Sequence, residues 1–223
     1  MDFHSEPMNN AIIRNEEFLE LLNEYSDFVE SIDISKVSNY PNEGDADWYT
    51  SQDYCKQIMY KGREHQGYPE SSVGFEVRSE HFRYDDLDAQ LELGAKGERL
   101  VDEVCMFLGA HRKALSMVYP PGGYIGWHNN ANAHGYNIIF TWSKEGDGQW
   151  EHIDPVTKEH VVIPDVKGWQ CKYGYYGSYE EYDSVLYHAA KTNCLRSTIA
   201  FVFNGDERGK RMAENVIEEI QTA

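Results

Sequence analysis

Long apolar runs and basic residues are what this sequence most lacks. No stretch reaches the ~20 consecutive apolar residues that a membrane-spanning helix requires. Lys and Arg number 20 against 38 Asp and Glu among 223 residues, a formal net charge of −18. That field repels phosphate backbones and anionic headgroups alike, so nucleic acid and membrane surfaces are poor partners and a neutral or cationic substrate is expected. Cysteine is also sparse. The four at 55, 105, 171 and 194 form no CxxC or other close pair, which argues against a disulfide framework and a zinc site and for reduced thiols in the core. The opening MDFHSEPMNN carries two acids and no apolar segment, unlike a signal peptide, so a cytoplasmic protein is expected.

What is present falls into two kinds of pattern. Residues 16–32, EEFLELLNEYSDFVESI, set Phe18, Leu21, Leu22, Tyr25, Phe28, Val29 and Ile32 at helical spacing behind Asn15, a candidate cap. Shorter helical patterns follow near 51–60 and 97–109, and between them GFEVRSEHF alternates like a strand. From about residue 113 the chain turns β-rich. ALSMVY, YNIIFTWS, QWEHI, EHVVI, SVLYHA and STIAFVF are short runs punctuated by Gly, Pro, Asn and Asp. From 206 the tail returns to helix, with Met212, Val216, Ile217 and Ile220 on one face. The predicted fold is α+β: one domain over 1–223, with a mostly helical part (1–110), a sandwich or jelly-roll core (111–205) and a C-terminal helix (206–223).

The chemistry concentrates in YPPGGYIGWHNNANAHGYNIIFTWS, residues 119–143. His128 stands beside a strand-like run, with Asn130 two residues on. In an extended segment such residues share a face and enter one cavity. His188 ends SVLYH, and Arg196 opens RSTIAFVF. Two imidazoles and one oxygen ligand on one side of a mononuclear iron leave its other positions open. A planar guanidinium at the start of an apolar strand needs an anion, either a core acid or a bound carboxylate.

The run MVYPPGGYIGWHNN, the distal His188 and the basic residue at 196 resemble the iron(II)- and 2-oxoglutarate-dependent oxygenases, those similar to prolyl hydroxylases in particular. The likeness covers roughly residues 113–204. It implies a double-stranded β-helix, or jelly roll, in which His128 and His188 ligate Fe(II) and Asn130 stands where the family has Asp or Glu. It also implies that Arg196 clamps the distal carboxylate of 2-oxoglutarate with Thr198 beside it, and that Tyr119, Tyr124 and Asn137 assist the cosubstrate. The reaction implied is O₂-dependent hydroxylation of a C–H bond, releasing succinate and CO₂.

Asn130 departs from that pattern. A neutral amide holds a hard cation less well than a carboxylate. Three readings follow: the amide ligates, a water replaces it, or the carboxylate lies elsewhere, as in the literal His152-Ile153-Asp154. In halogenating relatives the position is Ala or Gly, smaller than Asn, so hydroxylation is the better expectation. Two rival readings remain: a cupin-like metal enzyme that does not use 2-oxoglutarate, and a non-catalytic jelly-roll binding module. Elsewhere, His134 reads as a turn residue, and His152 and His160 as members of a hairpin with solvated faces. His4, His65, His81 and His111 carry no pattern. Trp127 flanks a proposed ligand as a candidate wall, and KYGYYGSYEEYDS, residues 172–184, reads either as a substrate-contact lid or as rings packed on a sheet edge.

Overall fold

A computed structural model describes residues 8–37, 43–81, 86–110, 112–181 and 184–223. The readings made at residues 1–7, His111, Phe82, Tyr182 and Asp183 lie outside these. In chain order the elements are β1 (Asn9–Ala11), α1 (Glu16–Ser31), α2 (Ala46–Tyr49), α3 (Gln52–Lys61), β2 (Ser72–Val73), α4 (Leu87–Leu108), β3 (Arg112–Tyr119), β4 (Tyr124–His128), β5 (Gly135–Ser143), β6 (Gly148–Ile153), β7 (His160–Pro164), β8 (Gly168–Tyr176), β9 (His188–Thr192), β10 (Arg196–Phe203) and α5 (Glu207–Gln221).

The helices begin where side chains can satisfy their first amides. Asn15 accepts from Phe18 N at 3.0 Å, and Ser51, Asp86 and Asp206 do the same for α3, α4 and α5. Helix α4 starts ten residues before the predicted 97, because Gly94 and Gly97 are not breakers here. They let the helix lie against Ser79, Val77 and Phe28. It stops at Gly109, whose φ of 56° is a left-handed cap that glycine adopts without strain. The alternating GFEVRSEHF makes no full strand. Phe75 forms a single bridge with Val118, and Ser79–His81 is a 3₁₀ turn under α4.

Two five-stranded antiparallel sheets form the core, ordered β1-β8-β5-β10-β3 and β2-β4-β9-β6-β7. From β3 to β10 the chain shuttles between them, so the sheets face each other with strands from both halves of this region. Strand β10 shows the consequence of period-two alternation. Ile199, Phe201 and Phe203 pack outward into a core with Phe18, Leu22, Tyr25 and Phe28 of α1, Val101 and Val104 of α4, and Ile217 of α5. Burying each such side chain contributes about 1.5–3 kcal/mol. Arg196, Thr198, Ala200 and Val202 face inward and line a cavity of about 310 Å³ between the sheets. The outer face of the second sheet is covered by α3 through Tyr54, Cys55 and Ile58 against Trp127 and Ile153. All four cysteines are free thiols, three of them buried. No helix among the described residues is long and apolar enough to cross a membrane.

Candidate functional site

The two histidines meet across adjacent strands. His128 closes β4, His188 opens β9, and the register pairs them directly. Their ring centroids are 4.1 Å apart. A register shift between Ile125 and His128 brings the His128 Nδ1–H to Gly126 O at 2.8 Å, and the His188 Nδ1–H donates to Leu186 O at 3.0 Å. A carbonyl only accepts, so both Nδ1 atoms carry the proton and both Nε2 atoms are unprotonated, that of His188 facing the Asn130 amide. Both rings are buried. Burial pushes His128 down to about 4 and His188 well below its ordinary value, the latter helped by the neighbouring His128. Two neutral imidazoles with unprotonated Nε2 atoms on one cavity wall are competent metal donors.

Asn130 reaches the same place by a route other than strand alternation. Strand β4 ends at His128, and Asn130 takes a left-handed φ of 53° that Asn tolerates. Its amide N–H donates to Gly67 O at 2.9 Å, which pins the loop to the segment before β2. The side chain lines the cavity, with Nδ2 3.5 Å from His188 Nε2. Amide oxygen and nitrogen have the same shape, so a half-turn puts Oδ1 in that position. No Asp or Glu is among the cavity-lining residues, and no group of three or more His, Cys, Asp and Glu among the described residues is placed to hold a metal. The alternative ligand pair also fails. Asp154 Oδ1 accepts from Val156 N and Thr157 N, both at 2.8 Å, which commits it to a turn.

The closed end of the cavity is built for an anion. Arg196 is 2% exposed; its Nε donates to Asp165 Oδ2 at 2.8 Å and its Nη1 to Thr198 Oγ1 at 2.7 Å. Its Nη2 has no partner, and neither do the buried hydroxyls of Tyr119 and Tyr176, all on cavity-lining residues. Burial raises Tyr119 to about 12 and Tyr176 further, so both hydroxyls keep their protons. Buried donors without acceptors are costly, and three aimed into one cavity mark where an acceptor binds.

The other predicted residues divide. Thr198 faces the same way as Arg196, as alternation requires, and serves it as acceptor. Tyr124 points elsewhere: its hydroxyl lies 2.6 Å from Ser71 Oγ and its ring stacks on Tyr49. Asn137 lines the cavity but donates to Gly135 O, and in register it stands opposite Val202, six residues along β10 from Arg196 or about 20 Å. It belongs to the other end. Trp127 is on the outer face of its sheet, not at the cavity wall. His152 and His160 do lie in a hairpin of β6 and β7, with His160 half-buried, but His152 is not on a solvated face. His152 is 3% exposed and pairs in register with His188, while His160 Nε2 lies 2.8 Å from Glu151 Oε2. Only the first five residues of the tyrosine-rich segment, 172–176, belong to β8, and its Tyr176 was not singled out. Asp165 and Lys172 were also missed: Asp165 lies between β7 and β8 and meets Arg196, 31 positions away, only in the fold, and Lys172 donates to Gln170, which itself reaches Asp165.

No protein-family model matches the chain, and no curated protein does. Among solved structures it is similar to a Pseudomonas putida prolyl-4-hydroxylase, at 14% identity over 80% of this chain and 98% of that one, with a TM-score of 0.32. It is similar also to a prolyl hydroxylase in complex with a hypoxia inducible factor peptide fragment from Trichoplax adhaerens, at 11% identity over 89% and 96%, TM-score 0.34. A third likeness, to Drosophila melanogaster CENP-C bound to CAL1, has 9% identity and a TM-score of 0.28, and spans 39% of this chain and 57% of that one. Overlays this loose carry no functional weight.

Proposed function

We propose that the chain is an Fe(II)- and 2-oxoglutarate-dependent oxygenase on a double-stranded β-helix, oxidising a C–H bond of a second substrate. The shuttling of β3–β10 between two facing sheets is the wiring such a fold has. The observation that carries the reading is the pairing, in one cavity, of two adjacent unprotonated Nε2 atoms with three orphaned buried donors. The first set suits a metal and the second a carboxylate.

In this reading His128 and His188 hold Fe(II), with the Asn130 amide beside them as a neutral third donor. Arg196 Nη2, Tyr119 and Tyr176 receive the carboxylate of 2-oxoglutarate, and Asp165 and Thr198 keep the guanidinium aimed. When bound, Fe(II) with 2-oxoglutarate and O₂ supplies the oxidation, with succinate and CO₂ as coproducts. The protein's own work is positioning and exclusion of water; no side chain serves as general acid or base. At the other end, the second substrate meets Tyr68, Pro69, Leu115 and Val202. That end also carries Lys113 and no acid, so of the two expected substrate classes the lining supports the neutral one.

The missing carboxylate favours a second reading, a module that binds a carboxylate without catalysis. Anaerobic titration with Fe(II) and 2-oxoglutarate separates the two. The oxygenase gives the visible charge-transfer band of a chelated oxoacid, lost in His188→Ala, weakened in Arg196→Ala and formed at lower iron in Asn130→Asp. Metal binding without that band points to the cupin-like enzyme, and no metal binding at all to the module.

A further inference from the structure

The cavity's closed end has more positive charge than its visible partners balance. Lys172 lies on β8 directly opposite Ile139, which in turn pairs with Ala200. Both of those residues line the cavity, and paired residues share a face, so Lys172 lies on the inward face of β8, beside the lining residues though not itself among them. It is 1% exposed. Its Nζ donates to Gln170 Oε1 at 3.0 Å, Gln170 Nε2 donates to Asp165 Oδ1 at 3.0 Å, and Asp165 Oδ2 accepts from Arg196 Nε. Thus two buried cations share one buried carboxylate, through a continuous hydrogen-bonded chain. Between Gln170 and Thr198 in the same row sits Thr141, whose buried hydroxyl has no partner. A net positive charge walled off from water, surrounded by unused donors, calls for an anion.

We propose that Lys172 is a specificity-determining positioning residue: it gives the closed end a net charge of +1, which the carboxylate of a bound acid neutralises. If Lys172 were neutral, Arg196 and Asp165 would cancel, and the end would hold a carboxylate by hydrogen bonds alone. The inference rests on reading the closed end as a carboxylate site, but it does not need the metal.

The test is calorimetric titration of glutarate into the metal-free protein. Wild type binds. Lys172→Met weakens binding about tenfold or more. Adding Asp165→Asn to Lys172→Met restores the net charge and recovers most of the affinity, which a merely structural role would not do. Asp165→Asn alone, which leaves both cations, binds glutarate more tightly than wild type and decides the matter should Lys172→Met fail to fold. Unchanged affinity in Lys172→Met, no recovery in the double variant, or no glutarate binding by wild type each overturns the proposal. If this pattern holds while the Fe(II) and 2-oxoglutarate band never forms, the oxygenase reading fails and this inference stands.

Discussion

A buried lysine with one neutral hydrogen-bond partner destabilises the fold that contains it. Burial lowers Lys172 to about 8 from an ordinary 10.5, with Asp165 pulling up and Arg196 down. Between about 8 and 10.5 the unfolded chain binds more protons at this position than the folded one, so stability rises with pH across that window. Below it the full penalty applies. Without ligand, Lys172→Met therefore melts above wild type at neutral pH, and the gap closes as pH rises towards 10.5. Parallel melting curves across that range would show that Lys172 is not held against its charge. Stability is here given up at a ligand site, where a receptor must keep its charge ready before the ligand arrives.

At the scale of elements, the two glycines of α4 make a contest of signs. Helix propensity alone makes Gly94→Ala stabilising by about 1 kcal/mol. A Cβ there would lie 2.5 Å from Ser79 N, which is backbone and cannot swing away. Overpacking costs about 1–3 kcal/mol, so the substitution lowers the urea midpoint on balance. A raised midpoint would mean that α4 and the segment at 79 are free to separate. These glycines also explain why the sequence understated α4: LDAQLELGAKGE has the spacing of a weak helix until one knows what lies close to it. The capped, strongly periodic helices α1 and α5 were legible to within a residue or so, as were most of the β runs after 113, but SVLYHA covers 184–189 where β9 is His188–Thr192, and β4 and β8 were not among the runs. The same limit applies to the site. His128, His188 and Arg196 stood out because an imidazole or guanidinium beside an apolar strand needs a reason. Asp165 did not, since an acid in IPDVKG is an ordinary turn residue until the packing of one sheet on the other brings it to Arg196, 31 positions away. Asn130 does line one cavity with His128, but the argument for it was from extended geometry, which the backbone does not obey.

Across the whole molecule, charge is sorted by depth. The chain carries −18, yet no acid is among its cavity-lining residues, and the described ion pairs other than Arg196–Asp165 and His160–Glu151 are all at least a quarter exposed. The surface acids repel one another, and at physiological salt the screening length is ~8 Å. Raising sodium chloride from low to physiological concentration should therefore raise the melting temperature, while glutarate affinity, set by buried charges, falls much less than a surface site would. A salt-independent melting temperature would mean that the surface charges are already compensated locally.

Strand β1 is only three residues, Asn9–Ala11, yet it pairs along β8 with Asn10 opposite Lys172, and Met8 beside it packs between the sheets with Tyr119 and Tyr176. Through Met8 this short strap packs against two cavity-lining tyrosines, and it is also the seal on a sheet margin. A truncation or fusion tag that disturbs it would bare the backbone of β8, a template on which another chain can add a strand. Where the sequence is cut for expression thus decides whether the protein stays monodisperse.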